Sequence, residues 1–369
     1  MNTNHHLFRG GQWGLIILTL LILIFPISGE GTAQAFVEGE PVWGRKPILA
    51  YFALTPSLAE AFQTGAGLSS AEFEAIREIA RQEADQLREL VRATQPILED
   101  EALSELEKQT KIAESGFNET VILILHTTRQ NLETALSADS LTRAVAWIER
   151  QWARERVLHG LQAPPQNTDA ARTFTIFATH FDSNGSYSVA LPDKCVKFAD
   201  GGNSICAGSG YTTGNYSVHL SYEGEATTVQ TFDSGPWNVD DNFWASLKDP
   251  HPRRLYTDLP LGMPEAQAAY FDDYNDGRDQ YGRIVTAPFA LDLGDGVGSD
   301  LGLNPGSNDW VEVTFNWTDT WDAWNVEVVT LLKPTVLDPP YTGDMCVSAW
   351  HRIFPDLTVG GEAAYLTLN

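Results

Sequence analysis

The stretch Val229-Gln230-Thr231-Phe232-Asp233-Ser234-Gly235-Pro236-Trp237-Asn238 reads as a strand that delivers a carboxylate into a tight Gly-Pro turn. A second stretch, Ala290-Leu291-Asp292-Leu293-Gly294, holds another carboxylate between two leucines. Asp300-Leu301-Gly302-Leu303 and the alternating run Trp310-Val311-Glu312-Val313-Thr314 follow it. Working outward, short apolar or alternating runs recur at 174–179, 187–191, 216–222, 226–232, 310–317 and 326–332, each bounded by Gly, Asn, Asp or Pro. That spacing predicts an all-β barrel or sandwich over the second half of the chain. One helix interrupts it, at Pro264–Tyr270 after Gly262.

In their order, Asp233-Ser234-Gly235-Pro236, Leu291-Asp292-Leu293, Leu301-Gly302-Leu303 and Val311–Val313 resemble the double-psi β-barrels of the rare-lipoprotein-A-like and expansin-like group, and Ala178-Thr179-His180-Phe181 looks like that group's first strand. The resemblance spans about Phe174 to Trp317. It implies a six-stranded double-psi-like barrel that binds cell-wall or other polysaccharide, with lytic transglycosylase-type activity in some members. The sequence departs from the group at three places. Ser234 stands where the bacterial transglycosylases carry Arg, Gly294 replaces a Ser, and a long insertion from Asn238 to Gly282 separates the two carboxylates.

Glycosidic cleavage needs a carboxylic acid to protonate the leaving oxygen, and hydrolysis adds a second carboxylate. Asp233 and Asp292 are the candidate catalytic residues, and desolvation between Leu291 and Leu293 would raise the proton affinity of Asp292 as a general acid requires. Both also admit a structural reading, as a turn cap or a tie between strands. The insertion supplies flat rings at Trp237, Phe243, Trp244 and Tyr256 for pyranose stacking, with core packing as the alternative. Asn238, Asp240, Asp241, Asn242, Arg253 and Arg254 supply hydrogen bonds. The candidate substrate-binding set is Trp237, Asn238, Asp241, Trp244, Arg253 and Arg254. The acidic loop from Asp272 to Asp279 suggests calcium, but Tyr274 and Arg283 stand where an EF-hand requires oxygen ligands, so no metal site and no cofactor is assigned.

The first half is helical. Thr55-Pro56 opens a short helix through Phe62, Ser69-Ser70-Ala71-Glu72 is a capping box, and Leu68 and Phe73 are spaced to staple across it. Phe73, Ile76, Ile79, Leu87, Leu90 and Val91 then recur at helical spacing, with Glu74, Arg77, Glu78, Arg81, Glu83 and Arg88 opposite them as a solvated face. Further helices are predicted over 100–115, 119–136 and 140–156, and His126 reads as a core or boundary histidine. The organisation is multidomain α + β: 1–35 a signal peptide, 36–160 a helical bundle, 161–172 a linker containing Pro164-Pro165, 173–333 the barrel, and 334–369 a linker with the opening of a further β module.

Arg9, the apolar run Leu15–Phe25 and Ala33-Gln34-Ala35 have the form of an export signal, the alternative being an uncleaved anchor. The chain is therefore expected in the secreted or extracytoplasmic fraction, away from the membrane once the signal is cleaved. Lys and Arg total 24 against 49 Asp and Glu, a net charge of −25, which argues against nucleic acid as a partner. Polysaccharide or peptidoglycan is the expected partner, with an envelope protein docking on the helical bundle. Of three cysteines, Cys195 and Cys206 flank a Gly-rich turn and form the plausible disulfide. The competing function class is a non-catalytic structural or protein-interaction module of the cell envelope. Asn118, Asn184, Asn215 and Asn316 each precede Ser or Thr by two residues, as glycan acceptors would.

Overall fold

A computed structural model describes residues 42–161, 171–181, 187–197, 216–245, 254–304 and 307–318. The helices α1 (Leu49–Leu54), α2 (Pro56–Gly65), α3 (Ser70–Glu99), α4 (Glu105–Glu114), α5 (Phe117–Ala135) and α6 (Ala138–His159) come first. Their starts follow from local chemistry. Pro56 occupies the first turn of α2, while Ser69 with Glu72 and Ser104 with Glu107 close reciprocal capping boxes on α3 and α4. Gly65, the last residue of α2, lets Trp147 of α6 pack on it: an added methyl carbon would lie 2.2 Å from the indole nitrogen. Two side chains depart from the pattern reading. Glu83 is buried rather than solvated, its carboxyl pushed up to about 7 by burial. His126 is exposed, paired with Gln130 at 3.1 Å on the outer face of α5.

Six strands follow: β1 (Arg172–Phe181), β2 (Val189–Leu191), β3 (Ser217–Tyr222), β4 (Glu225–Ser234), β5 (Leu291–Gly294) and β6 (Asp309–Phe315). They close into a barrel in the order β1-β5-β2-β4-β3-β6. Two neighbour pairs are parallel, β1 with β5 and β2 with β4; the other four are antiparallel. Short helices α7 (Lys194–Lys197), α8 (Glu265–Asp272) and α9 (Asp295–Asp300) lie between strands. The 326–332 run, Asn184 and Asn215 lie outside the described residues.

Alternation along the strands fills the barrel. Phe174, Ile176 and Ala178 of β1 and Val311, Val313 and Phe315 of β6 join Leu291, Leu293, Phe243 and Trp244 in one core. Phe177 belongs to the opposite face of β1 and to a second core, which it shares with Phe52, Trp147 and Trp152 of the helices and with Trp237, Tyr270 and Phe271. The helices therefore pack on the outside of the barrel, and the described helices and strands fall in one compact unit, Glu40–Asn369.

Polar contacts join the two halves as well. Buried Asp309 at the start of β6 accepts from the Ser57 amide (3.2 Å) and hydroxyl (2.8 Å) and from the Tyr222 hydroxyl (3.0 Å). It thereby satisfies the first turn of α2 from the barrel side. His159 stacks on Trp310 at 3.7 Å, and the Tyr51 hydroxyl donates to Glu155 at 2.5 Å while accepting from Trp310 at 3.2 Å. Asn118 of α5 donates to the Gly282 carbonyl and accepts from the Ile284 amide. Phe177→Ala removes a ring from this shared core and should destabilise by about 3–5 kcal/mol. In urea titration the helical ellipticity and the tryptophan fluorescence are expected to shift to lower denaturant together.

Candidate functional site

β4 and β5 each present one carboxylate to the same strand. Ala190 of β2 is the register partner of Asp233 on one side and of Asp292 on the other. Two strand spacings put the two backbones about 10 Å apart. Across β5, Asp292 is level with Thr179 of β1, so the row runs Thr179, Asp292, Ala190, Asp233. This row is the outer face, since the flanking Leu291, Leu293, Val189 and Leu191 all belong to the barrel core.

A bulge makes the alignment. Val189 pairs with Thr231, but the next residue, Ala190, pairs with Asp233, so Phe232 is extra and stands 58% exposed. Without that extra residue Phe232 would occupy the carboxylate's place in the row; bulges re-aim side chains in this way. Gly235 then turns the chain at φ 136°, a conformation open to glycine, and its amide donates to the Leu191 carbonyl at 3.0 Å.

The two carboxylates differ chemically. Asp233 is partly exposed, and its Oδ1 accepts from the Ser234 amide at 2.8 Å, so it serves its own turn with one oxygen. Asp292 has no hydrogen-bond partner among the described residues. Burial pushes it up to about 7, the Asp233 charge adds to that rise, and the Arg88 guanidinium of α3 opposes it. A carboxyl group that changes protonation near neutrality can both give and take a proton, which is what acid–base chemistry requires.

The remaining candidates are dispersed. Trp237 is buried, donates from Nε1 to the Ala287 carbonyl at 3.2 Å, and stacks beside Phe289, which stacks on Phe177. Trp244 lies inside the barrel, stacked on Phe315 at 4.7 Å. Neither indole presents a face to solvent. Asn238, Asp241 and Arg254 are also buried. Asn238 donates to Glu265 at 2.7 Å, and Asp241 accepts from the Glu265 amide at 2.7 Å at the start of α8. Burial pushes Asp241 up to about 7 and Glu265 up to about 9. Arg253 lies outside the described residues. Cys195 is disulfide-bonded, and Cys206 lies outside the described residues.

The acidic loop after α8 is occupied by protein partners. Asp272 pairs with Arg156 at 2.7 Å, Asp273 with Lys46 at 2.7 Å, and Asp279 with Arg283. Among the described residues no group of three or more His, Cys, Asp or Glu side chains is placed to hold a metal ion.

Arg88 is the contributor that the pattern reading missed. On the sequence it is one of several charges on the solvated face of α3, and no local signal sets it apart. α3, which carries it, is tied to the barrel half through Arg283. Arg283 donates to the Thr94 hydroxyl of α3 (2.9 Å), to the Trp237 carbonyl just after the bulge (2.9 Å) and to Asp279 (2.7 Å).

Two predictions follow from these burial states. Asp279→Asn leaves a buried guanidinium without its counter-charge and should cost about 3–5 kcal/mol in chemical denaturation. Asp292 is displaced upward from the usual aspartate value of 3.8, so its contribution to stability is fully present below about pH 4 and is lost as pH rises through about 7. Asp292→Asn should flatten that slope and leave the protein more stable than wild type above pH 7, as thermal melts across pH 4–8 would show.

A family model described as a domain of unknown function, DUF8814, matches residues 173–314, the segment from β1 into β6. Searches of curated proteins and of solved structures returned no match.

Proposed function

We propose that the chain works outside the cytoplasm as a polysaccharide-binding protein, seating a cell-wall or other glycan against the Asp233/Asp292 face of a double-psi-like barrel. The observation that carries this reading is the flanking of Ala190 by two carboxylates distant in sequence, one of them titrating near neutrality with no hydrogen-bond partner among the described residues. Support for the double-psi assignment comes from two parallel strand pairs within a closed six-stranded barrel, and from the motif order that resembles the rare-lipoprotein-A-like and expansin-like group. The stretch from Asn238 to Gly282 is then the insertion that separates the two carboxylate strands. Export agrees with the signal-like N-terminus and with a disulfide at Cys195, since such bonds persist in oxidising compartments. No described helix is long and apolar enough to cross a membrane.

The same pair supports cleavage of lytic transglycosylase type. Protonated Asp292 gives its proton to the glycosidic oxygen as the bond from that oxygen to the anomeric carbon breaks. The departing sugar keeps the proton. Asp233 stabilises the positive charge at the anomeric carbon, one of the sugar's own hydroxyls closes on it, and the proton of that hydroxyl returns to Asp292. No water is consumed, and the acid is regenerated.

The chain should sediment with purified peptidoglycan or cellulose and release soluble fragments from the polymer it cleaves. Asp292→Asn should lower fragment release by about 10²-fold or more while the protein stays folded. Absence of sedimentation with either polymer would remove the glycan reading. Lower melting temperatures in both Asp233→Asn and Asp292→Asn, with unchanged glycan binding, would instead establish the competing role of a structural envelope module.

A further inference from the structure

We infer that Phe232 is the stacking surface of the carboxylate face: its ring receives the C–H face of a pyranose unit whose hydroxyl edge meets Asp233. The inference rests on the reading of the Asp233/Asp292 face as a glycan site. It supplies the apolar contact which that reading otherwise lacks, because Trp237 and Trp244 are core residues.

The bulge places the ring. Before it, Val229 lies in the barrel core and Thr231 is buried level with the core residue Val189. Phe232 is the extra residue between Thr231 and Asp233, and it stands exposed. The interior of the barrel is filled by side chains of β1, β5 and β6 together with Phe243 and Trp244, so an exposed ring on β4 lies on the outer surface. That surface carries the row Thr179, Asp292, Ala190 and Asp233. Phe232 and Asp233 are consecutive, with Cα atoms about 3.8 Å apart, so the ring and the partly exposed carboxylate can address one sugar unit.

The fold gives this ring no other task. Among the described residues Phe232 belongs to none of the hydrophobic clusters that hold the molecule together. Two further large apolar side chains of the barrel half are exposed, Tyr187 and Leu255. Tyr187 is held through its hydroxyl by Asp300 and by Thr227 at 2.8 Å, and Leu255 belongs to the insertion. Phe232 alone of the three adjoins a carboxylate of the row. A β-branched polar residue would serve the strand equally well at an exposed position, without presenting apolar surface to water.

The chemistry of a pyranose fits the pairing. Its faces carry C–H bonds and its rim carries hydroxyls. A flat ring removes water from the face, while a carboxylate accepts hydrogen bonds from the rim. Phenylalanine has no polar edge of its own, so it sets the height of the sugar over the strand and leaves hydrogen bonding to Asp233. Bulges re-aim side chains at sites in this manner, and here one extra residue exposes the ring and aligns the acid together.

Calorimetric titration of the full chain with cellohexaose and with soluble peptidoglycan strands tests the assignment. Phe232→Ala should weaken binding of the sugar that the wild type takes by about tenfold, and Phe232→Trp should bind at least as tightly as the wild type. Both variants should melt close to the wild type, since the ring lies outside the cores. Unchanged affinity in Phe232→Ala overturns the inference, whatever its melting temperature. If Phe232→Ala melts lower and binds more weakly, Phe232→Leu decides, because leucine keeps apolar bulk on the strand without a flat face: weakened binding in a fully stable Phe232→Leu supports stacking, and full binding overturns it. A wild-type chain that takes up neither sugar overturns the reading of the site itself. Loss in the wild type is thereby distinguished from equal binding by wild type and variant.

Discussion

The buried Arg283 guanidinium joins the helical half of this molecule to its barrel half. The Arg283 guanidinium is wholly inside the protein, and an isolated charge there would be prohibitive. It is tolerated because its donors are matched in the plane of the group. Nε and one terminal nitrogen meet Asp279, the other reaches Thr94 of α3, and the Trp237 carbonyl takes a further bond. The rings of Trp237 and Tyr281 lie 5.1 and 5.7 Å from its centre, adding the cation–π attraction that a planar guanidinium accepts. Asp279 is engaged as closely, accepting from the Tyr281 and Arg283 amides as well. These partners come from a helix, from the turn after β4 and from the loop before β5. The charge can be buried only when all three are assembled, and their assembly ties α3 to the turn after β4.

The two carboxylates illustrate a tension common at functional sites. A barrel wall is most stable with apolar or uncharged residues where it is covered, yet here an acid is held in a poorly solvated row with another carboxylate across Ala190. The bulge at Phe232 is the backbone feature that creates the row, and the β4 strand gives up a regular pairing to accommodate it. Asp233 is stabilised in part by its own turn, whereas Asp292 has no comparable bond among the described residues.

Much of the helical half was legible locally. The Ser69/Glu72 box, the proline in the first turn of α2 and the spacing of Phe73, Ile76 and Ile79 all act within one or two turns, and the helices start near where those signals lie. The strands were readable for the same reason, through alternation bounded by turn residues. Ring function was not legible. An indole that stacks on a sugar and one that fills a core have the same sequence signature, and Trp237 and Trp244 are core residues. Glu83 and Arg88 sit on one apparent polar face of α3, yet one is buried and the other is exposed and paired with Asp85, because other elements decide what covers a helix.

By itself the sequence determined that a helical half precedes a strand-rich half, about where the longer helices and most strands lie, and which residues could line a barrel. Each of these depends on interactions within a few residues, or on an alternation that survives in one dimension. Only the tertiary structure decided that Asp233 and Asp292 flank the same residue of β2, that a one-residue bulge sets their alignment, and that Arg283 ties α3 to the turn after β4. Strand order, register and the choice of covering helix arise from contacts between segments far apart in the chain, and their energies are spread over many partners with no mark at any one position.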